Sequence, residues 1–172
     1  KSWHVAVLGA GSWGTALALH ASVAGHEVSL WARRPDAADA MSRTRENGDY
    51  LPGFELPESL HVSSDAHACL AGADLVLSVV PSRYLRRVWD EIAASFPTGA
   101  HLVSATKGLE DETGLRMTEV LGEYAEGRCA SLVALSGPSF AAELAQGHPT
   151  AVTLGCTDRA AAESVQSCLS GG

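Results

Sequence analysis

The sequence predicts an α/β protein: a doubly wound, mostly parallel sheet with helices on both faces. Two observations carry that reading. Short apolar, β-rich runs alternate with longer helical stretches along the whole chain, and this alternation implies parallel strands joined by crossover helices. Runs such as LVLSVV at 75–80 are apolar at almost every position. A strand with one solvated face would alternate, so both faces of this sheet are covered.

The strand candidates lie at 5–8, 28–31, 60–63, 75–80, 102–105, 132–135 and 151–154. Helical candidates fill the intervals at 14–24, 35–47, 66–71, 82–95, 115–124, 139–146 and 159–169. The least regular region, NGDYLPGFELPESL, holds two prolines and reads as an excursion between the second helix and the third strand. No repeat or low-complexity segment interrupts the pattern. At 172 residues the chain suits one domain, 1–172.

Composition narrows the function. The longest apolar runs fall well short of the roughly 20 residues that span a bilayer. The net charge of −8 is spread over both halves, which disfavours a nucleic-acid partner. Arg83, Arg86 and Arg87 come nearest to a basic cluster, and at helical spacing they read as a solvated helix face. The four cysteines form no Cys-x-x-Cys pair and the seven histidines are dispersed, so no metal site is expected. A reducing, cytoplasmic setting fits, and no leader is expected because the N-terminus enters an apolar strand almost at once.

VAVLGAGSWG places Gly9, Gly11 and Gly14 in G-x-G-x-x-G spacing, directly after a strand and before a helix. In this context Gly9 permits the tight turn, Gly11 keeps side-chain atoms away from a pyrophosphate, and Gly14 lets helix and strand pack closely. The free amides and positive dipole end of the helix then face the phosphates. This is the dinucleotide-binding signature of a Rossmann-type fold. An NAD-specific site usually ends its second strand in Asp or Glu; this chain offers Trp31, Ala32, Arg33 and Arg34. NADP is therefore favoured over NAD, since arginine grips a 2′-phosphate in bidentate fashion. Two other readings stay open: the arginines sit on an exposed loop edge, or Arg33 stacks on adenine without selecting either cofactor.

Two further stretches end strands where an open α/β sheet binds ligands, VVPS at 79–82 and SATKGLE at 104–110. Ten of the twelve basic residues are arginine, and Lys107 is the single lysine apart from Lys1. A compact ammonium suits an oxygen of a phosphate or carbonyl. In ALSGPSFAAELA, Gly137 allows close backbone approach, and Ser139 is expected beside the free amides of a helix that starts near Pro138. By itself that turn is equally a plain helix cap.

Together, G-A-G-S-W-G at 9–14, W-A-R-R at 31–34, Y-L-P-G at 50–53, V-V-P-S, A-T-K-G-L-E at 105–110 and S-G-P-S-F-A-x-E-L-A at 136–145 closely resemble the N-terminal half of the bacterial NAD(P)-dependent glycerol-3-phosphate dehydrogenase family. The resemblance implies interconversion of sn-glycerol 3-phosphate and dihydroxyacetone phosphate, a step that supplies phospholipid synthesis. It also implies that Ser12, Trp13, Arg33, Arg34, Tyr50, Lys107 and Ala141 touch the cofactor, and that Lys107, Gly137 and Ser139 touch the substrate. Trp13, Tyr50 and Ala141 rest on the resemblance alone. Family members carry their proton-accepting lysine in a helical C-terminal domain, beyond residue 172, so no catalytic base is expected in this chain. Nucleotide binding with little turnover is the expectation, and a homodimer stays open for the full-length protein. The rival readings are a stand-alone nucleotide-binding or sensing module and a related reductase of another small substrate.

Overall fold

In the computed structural model, which describes residues 2–170, the chain runs β1 (His4–Leu8), α1 (Ser12–Val23), β2 (Glu27–Trp31), α2 (Pro35–Thr44), β3 (Glu46–Asn47), β4 (Leu51–Glu55) and β5 (Leu60–Ser63). It continues through α3 (Ala66–Leu70), β6 (Leu75–Ser78), α4 (Ser82–Ile92), β7 (His101–Ser104), α5 (Met117–Ala125), β8 (Ser131–Ser136), α6 (Ala141–Ala145), β9 (Thr153–Gly155) and α7 (Arg159–Leu169). Seven strands form one sheet in the order β5-β2-β1-β6-β7-β8-β9. All neighbours are parallel except β8 and β9. No helix among the described residues is long and apolar enough to cross a membrane.

The continuous apolar strands do cover two faces, and the pleat divides their side chains between two cores. Val5, Val7, Val28, Leu30, Leu75, Leu77, Val103 and Val133 point to one side, where α1, α2 and α7 supply Leu17, Leu19, Met41 and Val165. Ala6, Leu8, Val76 and Leu102 point to the other, against Leu70 of α3, Leu85 and Trp89 of α4, and Leu121 of α5. Alternate residues of one strand therefore serve different layers. Trp89 is wholly buried, and its indole N–H donates to the Ser78 hydroxyl at 3.3 Å, so this bulky side chain leaves no orphaned donor.

The polar excursion contains structure that its composition concealed. Helix α2 stops at Thr44 rather than 47, because Arg45 adopts the left-handed conformation (φ 54°) and its amide donates back to the Met41 carbonyl. The Arg45 guanidinium then donates to the carbonyls of Leu56, Pro57 and Leu60. Leu51 and Leu56 turn into the first core, and β3 and β4 close a short antiparallel hairpin. The excursion is a tethered flap rather than a free loop.

The last strand differs in direction from its neighbours. A parallel β9 would require the chain to return past the six residues of β8, about 20 Å at strand rise. Helix α6 has five residues, about 7.5 Å, and does not by itself cover that distance. The chain instead doubles back, and Thr153–Gly155 pairs antiparallel with Ala134–Ser136.

At the front of the sheet, a Cβ on Gly14 would overlap the Gly9 carbonyl oxygen. Backbone meets backbone there, so no flexible side chain can give way. Gly14→Ala is expected to lower stability by about 1–3 kcal/mol, read as a reduced urea midpoint at unchanged slope.

Candidate functional site

Strand β1 lies between β2 and β6. Its connection through α1 leads to β2 on one side, whereas the connection from β6 through α4 leads to β7 on the other. A crevice therefore opens between β1 and β6 at the carboxyl edge of the sheet. The glycine turn sits at that edge. Gly9 (φ 121°) donates its amide to the Trp31 carbonyl at 3.2 Å, and a Cβ on it would stand 2.9 Å from the Val79 carbonyl oxygen. The turn is thus pressed against the end of β6. Gly11 behaves differently, for a Cβ built there meets nothing within 4 Å. No contact inside the chain demands glycine at 11.

Gly11 is also the N-cap of α1, so no side chain caps the helix, and its first turn holds no acidic residue. The first amides of an α-helix have no acceptor within the helix. With the dipole behind them and no carboxylate competing, those of Ser12 and Trp13 form an anion seat in front of a space that glycine keeps clear.

The flap reaches this turn. Asn47, 3% exposed, donates to the Ala10 carbonyl at 3.0 Å and to the Thr15 hydroxyl at 2.8 Å. Its own carbonyl oxygen accepts from the Tyr50 amide at 3.3 Å, and the Ser12 hydroxyl donates to the Tyr50 carbonyl at 2.7 Å. Tyr50 is thereby placed beside the glycine turn with its ring exposed. Sequence reasoning missed Asn47 as a site organiser, since in NGDY it looks like an ordinary turn residue.

A cleft of about 420 Å³ lies at the carboxyl ends of β6 and β7, lined by Ser12, Trp13, Thr106, Lys107, Ser139 and Ala141 among others. Five of the sequence-predicted residues thus converge on one space. Lys107 is the only ionisable residue in that lining. Its loop is held at both ends. The Thr106 hydroxyl donates to the Val80 carbonyl at 2.6 Å and lies 3.3 Å from that of Ser78. Arg86 of α4 grips both carboxylate oxygens of Glu110, at 2.8 and 2.9 Å, and also pairs with Glu123 at 2.6 Å. Arg86 is therefore a structural tie as well as part of a solvated face.

One expectation about the second turn is corrected. Helix α6 begins at Ala141 with Phe140 as its N-cap, not at 139, so Ser139 does not stand at the first helical amides. Its hydroxyl lies 3.5 Å from the Gly137 carbonyl and still faces the cleft. Gly137 is outside that lining, and a Cβ there would come within 2.8 Å of the Ala151 carbonyl oxygen. Its missing side chain admits the returning strand. A larger hollow of about 1270 Å³ runs along α1, residues 147–154 and α7, but of the candidate residues it contains only Trp13. The convergent chemistry lies in the smaller cleft. Arg33 and Arg34 stand apart from both, exposed beyond the end of β2.

Residues 4–162 match the family model described as the NAD-dependent glycerol-3-phosphate dehydrogenase N-terminus. The chain belongs to this family. It is 46% identical over 96% of its length to the glycerol-3-phosphate dehydrogenase [NAD(P)+] of Corynebacterium glutamicum, covering 50% of that protein. It also superposes on the crystal structure of glycerol-3-phosphate dehydrogenase from Coxiella burnetii with a TM-score of 0.91, at 34% identity over 99% of this chain and 52% of that one. A UDP-D-ManNAc dehydrogenase from Pyrococcus horikoshii shares the fold, with a TM-score of 0.78 at 17% identity over 96% of this chain and 44% of that one. The chain spans about half the length of the curated relatives it matches. The family thus accounts for the Rossmann-type sheet expected from the sequence.

Removing the flap's anchor by Asn47→Ala is expected to cost about 1–3 kcal/mol, because buried partners lose their hydrogen bonds. Urea denaturation measures it. The acid response follows from Glu110, whose carboxyl is held down to about 2, first by the Arg86 hydrogen bonds and then by Thr113. A depressed carboxyl contributes its full stabilisation above the ordinary value of 4.5 and loses it as pH falls toward about 2. Arg86→Gln is therefore expected to give a shallower loss of stability with acidification across that window than the parent protein, in urea midpoints taken at successive pH values.

Proposed function

We propose that this chain is the nucleotide-binding half of a glycerol-3-phosphate dehydrogenase. In this role it holds NAD or NADP in the crevice between β1 and β6 and presents one face of the reaction site to sn-glycerol 3-phosphate or dihydroxyacetone phosphate. Family membership supports the reading, and one observation in the structure carries it. The Cβ position of Gly11 faces open space in front of the uncapped amino end of α1. A glycine that nothing in the protein requires, at a helix end that favours negative charge, fits a diphosphate resting on the backbone.

The division of labour follows from the cleft. The amides of the first turn of α1 bind the phosphates, and the carbonyls that anchor Thr106 fix the Lys107 loop relative to them. Trp13 and Ala141 line the space between, where they exclude water from one side of the reacting carbon. When bound, the nicotinamide donates or accepts the hydride. The Lys107 ammonium offers three hydrogen-bond donors and no acceptor. It is suited to polarise the C2 oxygen of the substrate and to stabilise charge that builds there. The Ser139 hydroxyl supplies a second polar contact on the same cleft. Removal of the hydroxyl proton during oxidation needs a positioned base, and the cleft lining contains none besides Lys107.

Gly11→Val separates binding from folding. Since its Cβ meets nothing in the chain, the variant is expected to fold with at most about 1 kcal/mol lost at the N-cap, while binding of NADH and NADPH weakens at least tenfold, about 1.4 kcal/mol. Calorimetric titration provides the measurement. Unchanged affinity in a folded variant would overturn the proposed seat.

A further inference from the structure

The pair of arginines after β2 is not one electrostatic unit. Arg34 stands 3.1 Å from Asp49 and 4.0 Å from Asp36, so two carboxylates surround one guanidinium. An arriving phosphate dianion would meet net negative charge there. Arg33 has no ion pair among the described residues; its guanidinium lies 5.9 Å from the ring centre of Tyr84. On the same ring, 4.7 Å from its centre, lies the guanidinium of Arg83. Arg83 likewise has no carboxylate partner among the described residues.

We propose that Arg33 and Arg83, mounted together on Tyr84, select NADP by holding its 2′-phosphate, and that Arg34 takes no part in that selection. The inference rests on the nucleotide-binding reading above. Arg33 follows the carboxyl end of β2, and Arg83 is the second residue of the helix that follows β6. Strands β2 and β6 flank β1 on either side, so the two side chains approach the mouth of the crevice from opposite edges of the glycine turn. Arginine stems are long and flexible, and cation–π contact with one ring keeps both forks near a common point. A phosphate monoester carries close to two negative charges and several acceptor oxygens, which two unneutralised guanidiniums match. The same pair has no counterpart to grip in NAD, whose ribose carries a hydroxyl there.

The alternative is that Arg83 is a surface charge that only raises the general positive field. A field acts more strongly on NADPH, which carries about two more negative charges, so the exposed Arg87 of the same helix serves as the control. A field effect lowers the NADPH-to-NADH ratio alike in Arg83→Gln and Arg87→Gln, which would overturn the assignment, whereas direct holding lowers it in Arg83→Gln and leaves Arg87→Gln close to the parent. Calorimetric titration of the 172-residue chain with NADPH and NADH separately is the test, with 2′,5′-ADP and 5′-ADP as shorter probes of the same difference. The parent chain is expected to prefer NADPH. Arg83→Gln is expected to weaken NADPH and 2′,5′-ADP about tenfold while NADH stays within about twofold, which also shows that the variant is folded. Arg33→Gln should lower the ratio in the same direction, and Arg34→Gln combined with Asp49→Asn, which removes the pair without a change in net charge, should leave it unchanged. Equal loss for both cofactors in Arg83→Gln, or collapse of the ratio in that double variant, would overturn the assignment. Equal binding of both cofactors by the parent chain would overturn it too, with the nucleotide-binding reading left standing. Failure of either cofactor to bind the parent chain would bring down that reading as well.

Discussion

Two absent Cβ atoms at the front of β1 fix the distances on which the rest of the site depends. Gly14 lets α1 close onto the Gly9 carbonyl, and Gly9 lets the turn close onto the Val79 carbonyl at the end of β6. Thr106 then takes hold of β6 from the other side, through the carbonyls of Ser78 and Val80, the neighbours of Val79. One short stretch of backbone, 78–80, therefore locates both the amino end of α1 and the loop that carries Lys107. A shift in either glycine contact would move the anion seat relative to the ammonium with no change in any residue that faces the cleft. Preorganisation of this kind is what the hydride transfer proposed above requires, since reactivity depends on holding the partners in one geometry.

Legibility in the sequence followed the range of the forces involved. The sheet and its covering helices were readable because their signal is the local pattern of apolar residues, which the central strands β1, β6 and β7 divide between the two cores. The hairpin of β3 and β4 was not readable. Its stability comes from Asn47 reaching back to Ala10 and Thr15, and from Arg45 reaching forward to Leu56, Pro57 and Leu60. Those contacts cross between segments that look like plain turns. The start of α6 was displaced for a related reason: Pro138 is compatible with a first helical turn, but the chain at 137–139 is committed to admitting residues 151 and 152 beside it.

Residue identity alone also hid differences of role between look-alike positions. Gly11 and Gly137 each sit in a strand-to-helix turn. The surroundings of the missing Cβ tell them apart, open space for one and the Ala151 carbonyl for the other, and so does the backbone, with φ −76° at Gly11 and 155° at Gly137. Arg33 and Arg34 are adjacent, yet the flap delivers Asp49 to Arg34 and leaves Arg33 beside Tyr84. An exposed ion pair of this kind adds little stability. Its effect is to cancel charge at one point and so to concentrate the remaining positive potential on the side nearer α4.

The same economy of charge bears on why the cleft uses a lysine in a chain that otherwise prefers arginine. Arginine serves where a carboxylate must be gripped in two places, as Arg86 grips Glu110. A guanidinium in the cleft would spread its charge over a planar fork and fill much of the space between Trp13 and Ala141. An ammonium concentrates the charge on one atom and reaches a single oxygen from the end of a thin stem. Because the Lys107 loop is tied down by Thr106 and by the Arg86–Glu110 pair, the flexibility of that stem is confined to its last few bonds. Such a group can steady negative charge on the C2 oxygen while the proton leaves toward an acceptor outside this lining. On the proposed reaction, the two tasks of polarising the oxygen and accepting its proton are thus divided between surfaces, and the sheet's carboxyl edge provides the first.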